Sequence, residues 1–154
     1  MKTPRRPRPT RRPTPIPRPR QQHSPRPARD NRIHVTFYCL AGQESSFLAK
    51  KTFEKLLADK KLSRRFRVNY EGTRNYSTRE LRTLLSRTDY AIGMFPTITA
   101  ELKQHGARIQ NQHPRPKIVD VAFNTIHDQT DPHKYHAILQ QILANESQRT
   151  KQRN

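Results

Sequence analysis

The residues best suited to chemistry lie in one stretch, Cys39-Leu40-Ala41-Gly42-Gln43-Glu44-Ser45-Ser46, which contains the only cysteine of the 154-residue chain. It reads as the end of a strand turning tightly at Gly42 into the start of a helix. A loop of this kind wraps an anion in backbone N–H groups, and the helix N-terminus behind it adds positive potential. The same field lowers the pKa of a thiol beside it, and the thiolate is the nucleophilic form. Cys39 is therefore placed to attack phosphorus and form a thiophosphate, with the N–H groups of residues 40–46 stabilising the equatorial oxygens. Ser45 and Ser46 can hydrogen-bond to the sulfur or to a phosphoryl oxygen. A free cysteine at a strand end is also a common core residue. Gly42 and the Ser-Ser pair favour the nucleophile.

The elements needed to position this loop follow from hydrophobic period. His34–Tyr38 is β-branched and aromatic and predicts a strand feeding the loop. Beyond it, Ala49, Phe53, Leu56 and Leu57 fall at helical spacing opposite Lys50, Lys51, Glu54, Lys55 and Asp59. Phe66–Tyr70 predicts a second strand, at an edge, ended by Gly72 and a polar loop. Ser77 with Glu80 three residues on is a capping box, and Leu81, Leu84 and Leu85 supply the stripe of a second helix. Tyr90–Phe95, closed by Pro96, suits a strand buried on both faces. Thr97–Gln104 predicts a short helix ending near Gly106. Ile118–Phe123 predicts the fourth strand. Asp131-Pro132 then caps a last helix carrying Tyr135, Ile138, Leu139, Ile142 and Leu143. This alternation implies an α/β domain: a four-stranded parallel sheet of order 2-1-3-4, with right-handed crossovers and helices on both faces. Ligands of such sheets bind beyond the carboxyl ends of the strands at the switch point, where Cys39 falls.

The domain spans residues 33–146. Residues 1–32 differ sharply, with nine of the 13 prolines and eleven Lys/Arg against the single acid Asp30. Proline fixes φ and the arginines repel one another, so a disordered, polyproline-like tail is expected. Its residues Arg5, Arg6, Arg8, Arg11, Arg12, Arg18 and Arg20 can neutralise phosphates of nucleic acid or another polyanion, though no aromatic residue is interleaved to stack on bases. Residues 147–154 read as a polar, frayed C-terminal tail. The whole chain carries 31 Lys+Arg against 12 Asp+Glu, a formal charge of +19. One cysteine excludes an internal disulfide and a multi-cysteine zinc cage. No apolar run is long enough for a membrane helix or a secretory signal, so a soluble cytoplasmic protein is expected.

At Cys39, Gly42, Ser45 and Ser46 the sequence resembles the enzyme IIB family of the phosphoenolpyruvate-dependent sugar phosphotransferase system, in particular the Cys-x-x-Gly-x-x-Ser/Thr-Ser loop of its mannitol-, galactitol- and ascorbate-type domains. The likeness covers about residues 33–146. It implies a flavodoxin-type fold with no metal or organic cofactor. It also implies that Cys39 accepts a phosphoryl group from a phosphohistidine of a IIA-type donor and passes it to a sugar held by a membrane IIC-type permease. Glu44, a carboxylate within the anion loop, and the Arg/Pro tail depart from that pattern. More distantly, the loop is similar to that of low-molecular-weight protein tyrosine phosphatases, Cys-x5-Arg-Ser. Ser46 matches its serine, and Asp131-Pro132 matches the Asp-Pro pair that supplies a general acid there. Ser45, however, stands where that family requires arginine, and without a bidentate guanidinium, transfer is favoured over hydrolysis.

Three readings therefore stand: a phosphoryl carrier working through Cys39, a polyanion-binding protein working through its tail, and a degenerate phosphatase relative. Asp131 is fully explained as a helix cap. His127, His133 and His136 lack a completing carboxylate or cysteine and read as solvated, and His105 and His113 flank a loop. Lys50, Lys51, Lys55, Lys60 and Lys61 form a basic helix face open to an acidic partner. Asn69, Glu71, Arg74 and Asn75 follow the second strand and border the loop only if the fold brings them there.

Overall fold

A computed structural model describes residues 3–14, 30–109, 116–119, 123 and 128–153. The chain divides into Met1–Asp30 and Asn31–Asn154. In the first unit, residues 3–14 are exposed and carry neither helix nor strand.

The second unit runs β1 (Ile33–Cys39), α1 (Ser45–Asp59), β2 (Phe66–Gly72), α2 (Thr78–Ser86), β3 (Tyr90–Gly93), α3 (Pro96–Ile109), β4 (Lys117–Val119) and α4 (Pro132–Arg153). Its four strands pair in parallel in the order β2-β1-β3-β4, as the alternation of elements predicts. Strand alternation divides the core. Ile33, Val35, Phe37 and Cys39 face one side and pack with Phe53 and Leu57 of α1 and Tyr135, Ile138 and Ile142 of α4. Tyr38 faces the other side, with Leu81 and Leu85 of α2 and Ile98 and Leu102 of α3. Both faces of the sheet are covered, which suits the fully buried Tyr90-Ala91-Ile92-Gly93 strand. The capping box at α2 is present in full: Glu80 N–H donates to Ser77 Oγ at 3.2 Å, and Ser77 N–H donates to Glu80 Oε2 at 3.0 Å.

Several boundaries differ from the sequence-based expectation. The third helix does not end near Gly106 but runs to Ile109, because its buried stripe Ile98, Leu102, Ile109 continues past the glycine and packing outweighs local propensity. Residues 147–153 are polar but helical rather than frayed. Their turn of α4 is tied to the sheet where Tyr90 Oη donates to Glu146 Oε1 at 2.7 Å and the Arg149 guanidinium lies 5.8 Å from the Tyr90 ring. In the expected fourth strand, residues 120–122 lie outside the described residues, while Phe123 is buried in the α1/α4 core. Among the described residues no helix is long and apolar enough to cross a membrane.

Candidate active site

Cys39 is the last residue of β1, between the paired strands β2 and β3, so it sits at the switch point of the sheet. Only 5% of it is exposed. Its sulfur is surrounded by donors: Gly42 N–H reaches Sγ at 3.0 Å, and Ser46 Oγ, itself wholly buried, lies 3.0 Å away. Burial alone would push the thiol up. The Ser46 hydroxyl and the N–H groups of Ser46, Gly42 and Gln43 outweigh that burial, and the Cys39 thiol is held below its ordinary value.

The start of α1 explains the arrangement. Glu44 occupies the cap position, but its side chain makes no capping hydrogen bond and is exposed. The Cys39 sulfur stands just ahead of this helix start, and the backbone of Ser46 in its first turn is among the groups that favour the charged thiol. Ser46→Ala removes the one side-chain donor to the sulfur and leaves the backbone donors in place. The alkylation midpoint of Cys39, followed as rate against pH, is expected to rise by about half to one pH unit, since each unit reflects about 1.4 kcal/mol of differential stabilisation. Because the thiolate is the reactive form, Ser46→Ala then alkylates more slowly than wild type at neutral pH and equally fast well above both midpoints.

A second segment holds the loop from outside. Cys39 pairs in register with Gly72, the end of β2, and the chain continues there into a 3-10 turn, Thr73–Asn75. Arg74 N–H donates to Leu40 O at 2.9 Å, and Asn75 Nδ2 donates to Ala41 O at 3.1 Å. Gly42 adopts φ +73°, the left-handed region, and a Cβ on it would stand 2.6 Å from Gly72 N. Asn69, Glu71 and Asn75, which sequence reasoning could name but not place, line a cleft of about 370 Å³ together with Gly42, Lys50, Tyr70 and Gly72. Within it Glu71 Oε2 accepts from Tyr76 Oη at 2.5 Å, and that bond, with burial, pushes the phenol up to about 12.

Four large apolar side chains are 36–45% exposed: Leu40 on the loop, Phe47 and Leu48 in the first turn of α1, and Tyr70, which lines the cleft. The Phe47 and Tyr70 rings meet edge to face at 5.2 Å, with Lys51 Nζ 5.4 Å from the first ring and Lys50 Nζ 5.6 Å from the second. Sequence reading missed these exposed apolar side chains. Their signal was that Phe47 and Leu48 fall off the stripe formed by Ala49, Phe53, Leu56 and Leu57.

The remaining candidates lie elsewhere or play other parts. Leu40, Ala41 and Gln43 are exposed on the loop, and Ser45 is half-buried. Asp131 Oδ1 accepts His133 N–H at 3.0 Å, the cap of α4. His133 is exposed and His136 half-buried. His105 faces Glu101 across a turn of α3 at 3.8 Å, and His113 and His127 lie outside the described residues. Among the described residues no group of three or more His, Cys, Asp and Glu side chains could hold a metal ion. Arg5, Arg6, Arg8, Arg11 and Arg12 are exposed, while Arg18 and Arg20 lie outside the described residues.

No family model matches this chain, and no curated protein does. Among solved structures it is similar to a protein tyrosine phosphatase from Entamoeba histolytica, at 14% identity and TM-score 0.47 over 69% of this chain and 95% of that one. It is also similar to YfkJ from Bacillus subtilis, at 17% identity and TM-score 0.48 over 79% of this chain and 99% of that one.

Proposed function

We propose that this chain is a phosphoryl carrier of the sugar phosphotransferase type: Cys39 accepts a phosphoryl group from a phosphohistidine donor protein and passes it to a sugar at a membrane permease component. The observation that carries the reading is the set of donors around the Cys39 sulfur, which favours the nucleophilic thiolate, in a loop whose N–H groups can serve the phosphoryl oxygens. In the first step the thiolate attacks phosphorus, an S–P bond forms, the P–N bond to imidazole breaks, and the imidazole nitrogen takes up a proton. In the second, a sugar hydroxyl attacks phosphorus, its proton leaves to a base, and the S–P bond breaks to return the thiolate.

Ser45 favours carrying over hydrolysis. It stands where a phosphatase loop holds a guanidinium against the transferring group, and a hydroxyl cannot provide that bidentate clamp. The exposed Phe47–Tyr70 ring pair beside the cleft supports exchange between macromolecules, because exposed apolar surface suits a docked protein better than water. Lys50 and Lys51 beside it favour an acidic partner.

The test uses phosphoramidate, a small P–N donor that needs no docking, on the full chain. One phosphoryl group is expected by intact mass, with a thiophosphate phosphorus resonance, and none on protein alkylated beforehand. Absence of label on Cys39 would end the carrier reading. Steady release of inorganic phosphate from an aryl phosphate would replace it with the phosphatase one.

A further inference from the structure

The hydrogen bonds that reach the Cys39 loop from outside have a geometric regularity that the carrier chemistry does not by itself require. In a trans peptide the C=O of one residue and the N–H of the next point in opposite directions. The Ala41–Gly42 peptide lies between two partners: its carbonyl accepts Asn75 Nδ2 at 3.1 Å, and its N–H donates to Cys39 Sγ at 3.0 Å. The preceding peptide is held in the same sense, since Leu40 O accepts Arg74 N–H at 2.9 Å, which turns Ala41 N–H away from Arg74. The turn after β2 thus grips the outer, carbonyl side of two successive peptides of the loop.

We propose that Asn75 is a positioning residue of the Cys39 site, acting through the Ala41–Gly42 peptide to keep the Gly42 N–H directed at the sulfur. It does not touch the sulfur. A flip of this peptide changes ψ of Ala41 and φ of Gly42, and glycine, with no Cβ, tolerates the change of φ that another residue would resist. A flipped peptide would turn the Ala41 carbonyl toward the sulfur and repel both thiolate and phosphate. Asn75 opposes the flip by holding the carbonyl outward, and its donation polarises the amide so that the opposite N–H becomes a better donor. The bond is exposed, so its worth for folding is small. Its effect is expected in the thiol rather than in stability, which separates positioning from a structural role.

The measurement is the rate of Cys39 alkylation by iodoacetamide against pH in the full chain, for wild type, Asn75→Ala, Asn75→Asp and Asn75→Gln. The charged groups beside the loop (Glu44, Lys50, Glu71 and Arg74) are the same in all four. Asn75→Ala is expected to shift the midpoint upward and slow alkylation at pH 6.5 about three- to tenfold, the range that half to one unit of thiol pKa gives. Asn75→Asp, which sets a carboxylate against the Ala41 carbonyl, is expected to shift it further. Asn75→Gln, which keeps an amide donor, is expected to recover part of the loss. Asn145→Ala removes a comparable exposed hydrogen bond, Lys117 Nζ to Asn145 Oδ1 at 3.0 Å, and is expected to leave the midpoint unchanged. An unchanged midpoint in Asn75→Ala, or an equal shift in Asn145→Ala, would overturn the assignment, whatever Asn75→Asp does, since its added carboxylate raises the thiol by charge alone. The readout uses no phosphodonor, so a chain that takes no phosphoryl group would refute the carrier reading and leave this inference to be decided by the midpoints alone.

Discussion

Cys39→Ser is expected to reduce phosphoryl loading to background while the domain stays folded. The substituted oxygen keeps the same neighbours, Ser46 Oγ and Gly42 N, each 3.0 Å from the native sulfur, and a hydroxyl can still accept from the second and exchange a hydrogen bond with the first. The nucleophile is what disappears. The donors around Cys39 favour its thiolate over the thiol, whereas a serine hydroxyl stays protonated far above neutral pH and the described contacts of Cys39 supply nothing to deprotonate it. The shorter C–O bond loosens contacts in the α1/α4 core, a loss of about 1 kcal/mol, typical of a conservative buried change. Intact mass after phosphoramidate treatment and thermal unfolding by circular dichroism check the two halves separately. A serine variant that still takes up phosphate would place the acceptor on another side chain. A variant that unfolds would make packing the role of Cys39.

The pattern of polar and apolar residues made the architecture legible in the sequence, and long-range register hid the rest. Four strands and four helices in alternation leave few sheet orders, and the order 2-1-3-4 follows from right-handed crossovers with helices on both faces. Ser77 and Glu80 mark the start of α2 because a capping box is local chemistry, complete within four residues. The loop itself was legible for the same reason: Cys39, Gly42 and Ser46 lie within eight residues, and the hydrogen bonds at the sulfur join these three. Gly72 and Asn75 are different. Their importance depends on Cys39 pairing with Gly72 across the sheet, and no window along the chain holds both partners. Likewise the last turns of α4 look like a polar end in sequence, and only the approach of Tyr90 to Glu146 and Arg149 shows why they remain helical.

That register makes Gly72→Ala the most informative substitution outside the loop. Gly72 has φ −107° and ψ 124°, an extended conformation open to any residue, so alanine meets no backbone strain there. The obstacle is space alone. A Cβ at Gly72 would stand 2.4 Å from both Ala41 C and Gly42 N, and neither is the end of a side chain that could rotate away. Either the end of β2 or the Cys39 loop must move. Overpacking of this kind costs about 1–3 kcal/mol, and at about 4 °C per kcal/mol for a domain of this size the melting temperature should fall by several degrees. The displaced atom that matters most is Gly42 N, one of the donors holding the thiol down, so the Cys39 alkylation midpoint is expected to rise together with the loss of stability. Gly106 supplies the contrast. It lies inside α3, where a Cβ would meet only Ile118 side-chain carbons at 3.7 and 3.8 Å, ordinary contact distances. Gly106→Ala is therefore expected to stabilise the domain by about 0.5–1 kcal/mol through helix propensity, with no change in the thiol. If Gly72→Ala melts like wild type and keeps a low thiol pKa, the close packing of the loop on β2 is wrong, and with it the route by which the turn after β2 governs the nucleophile.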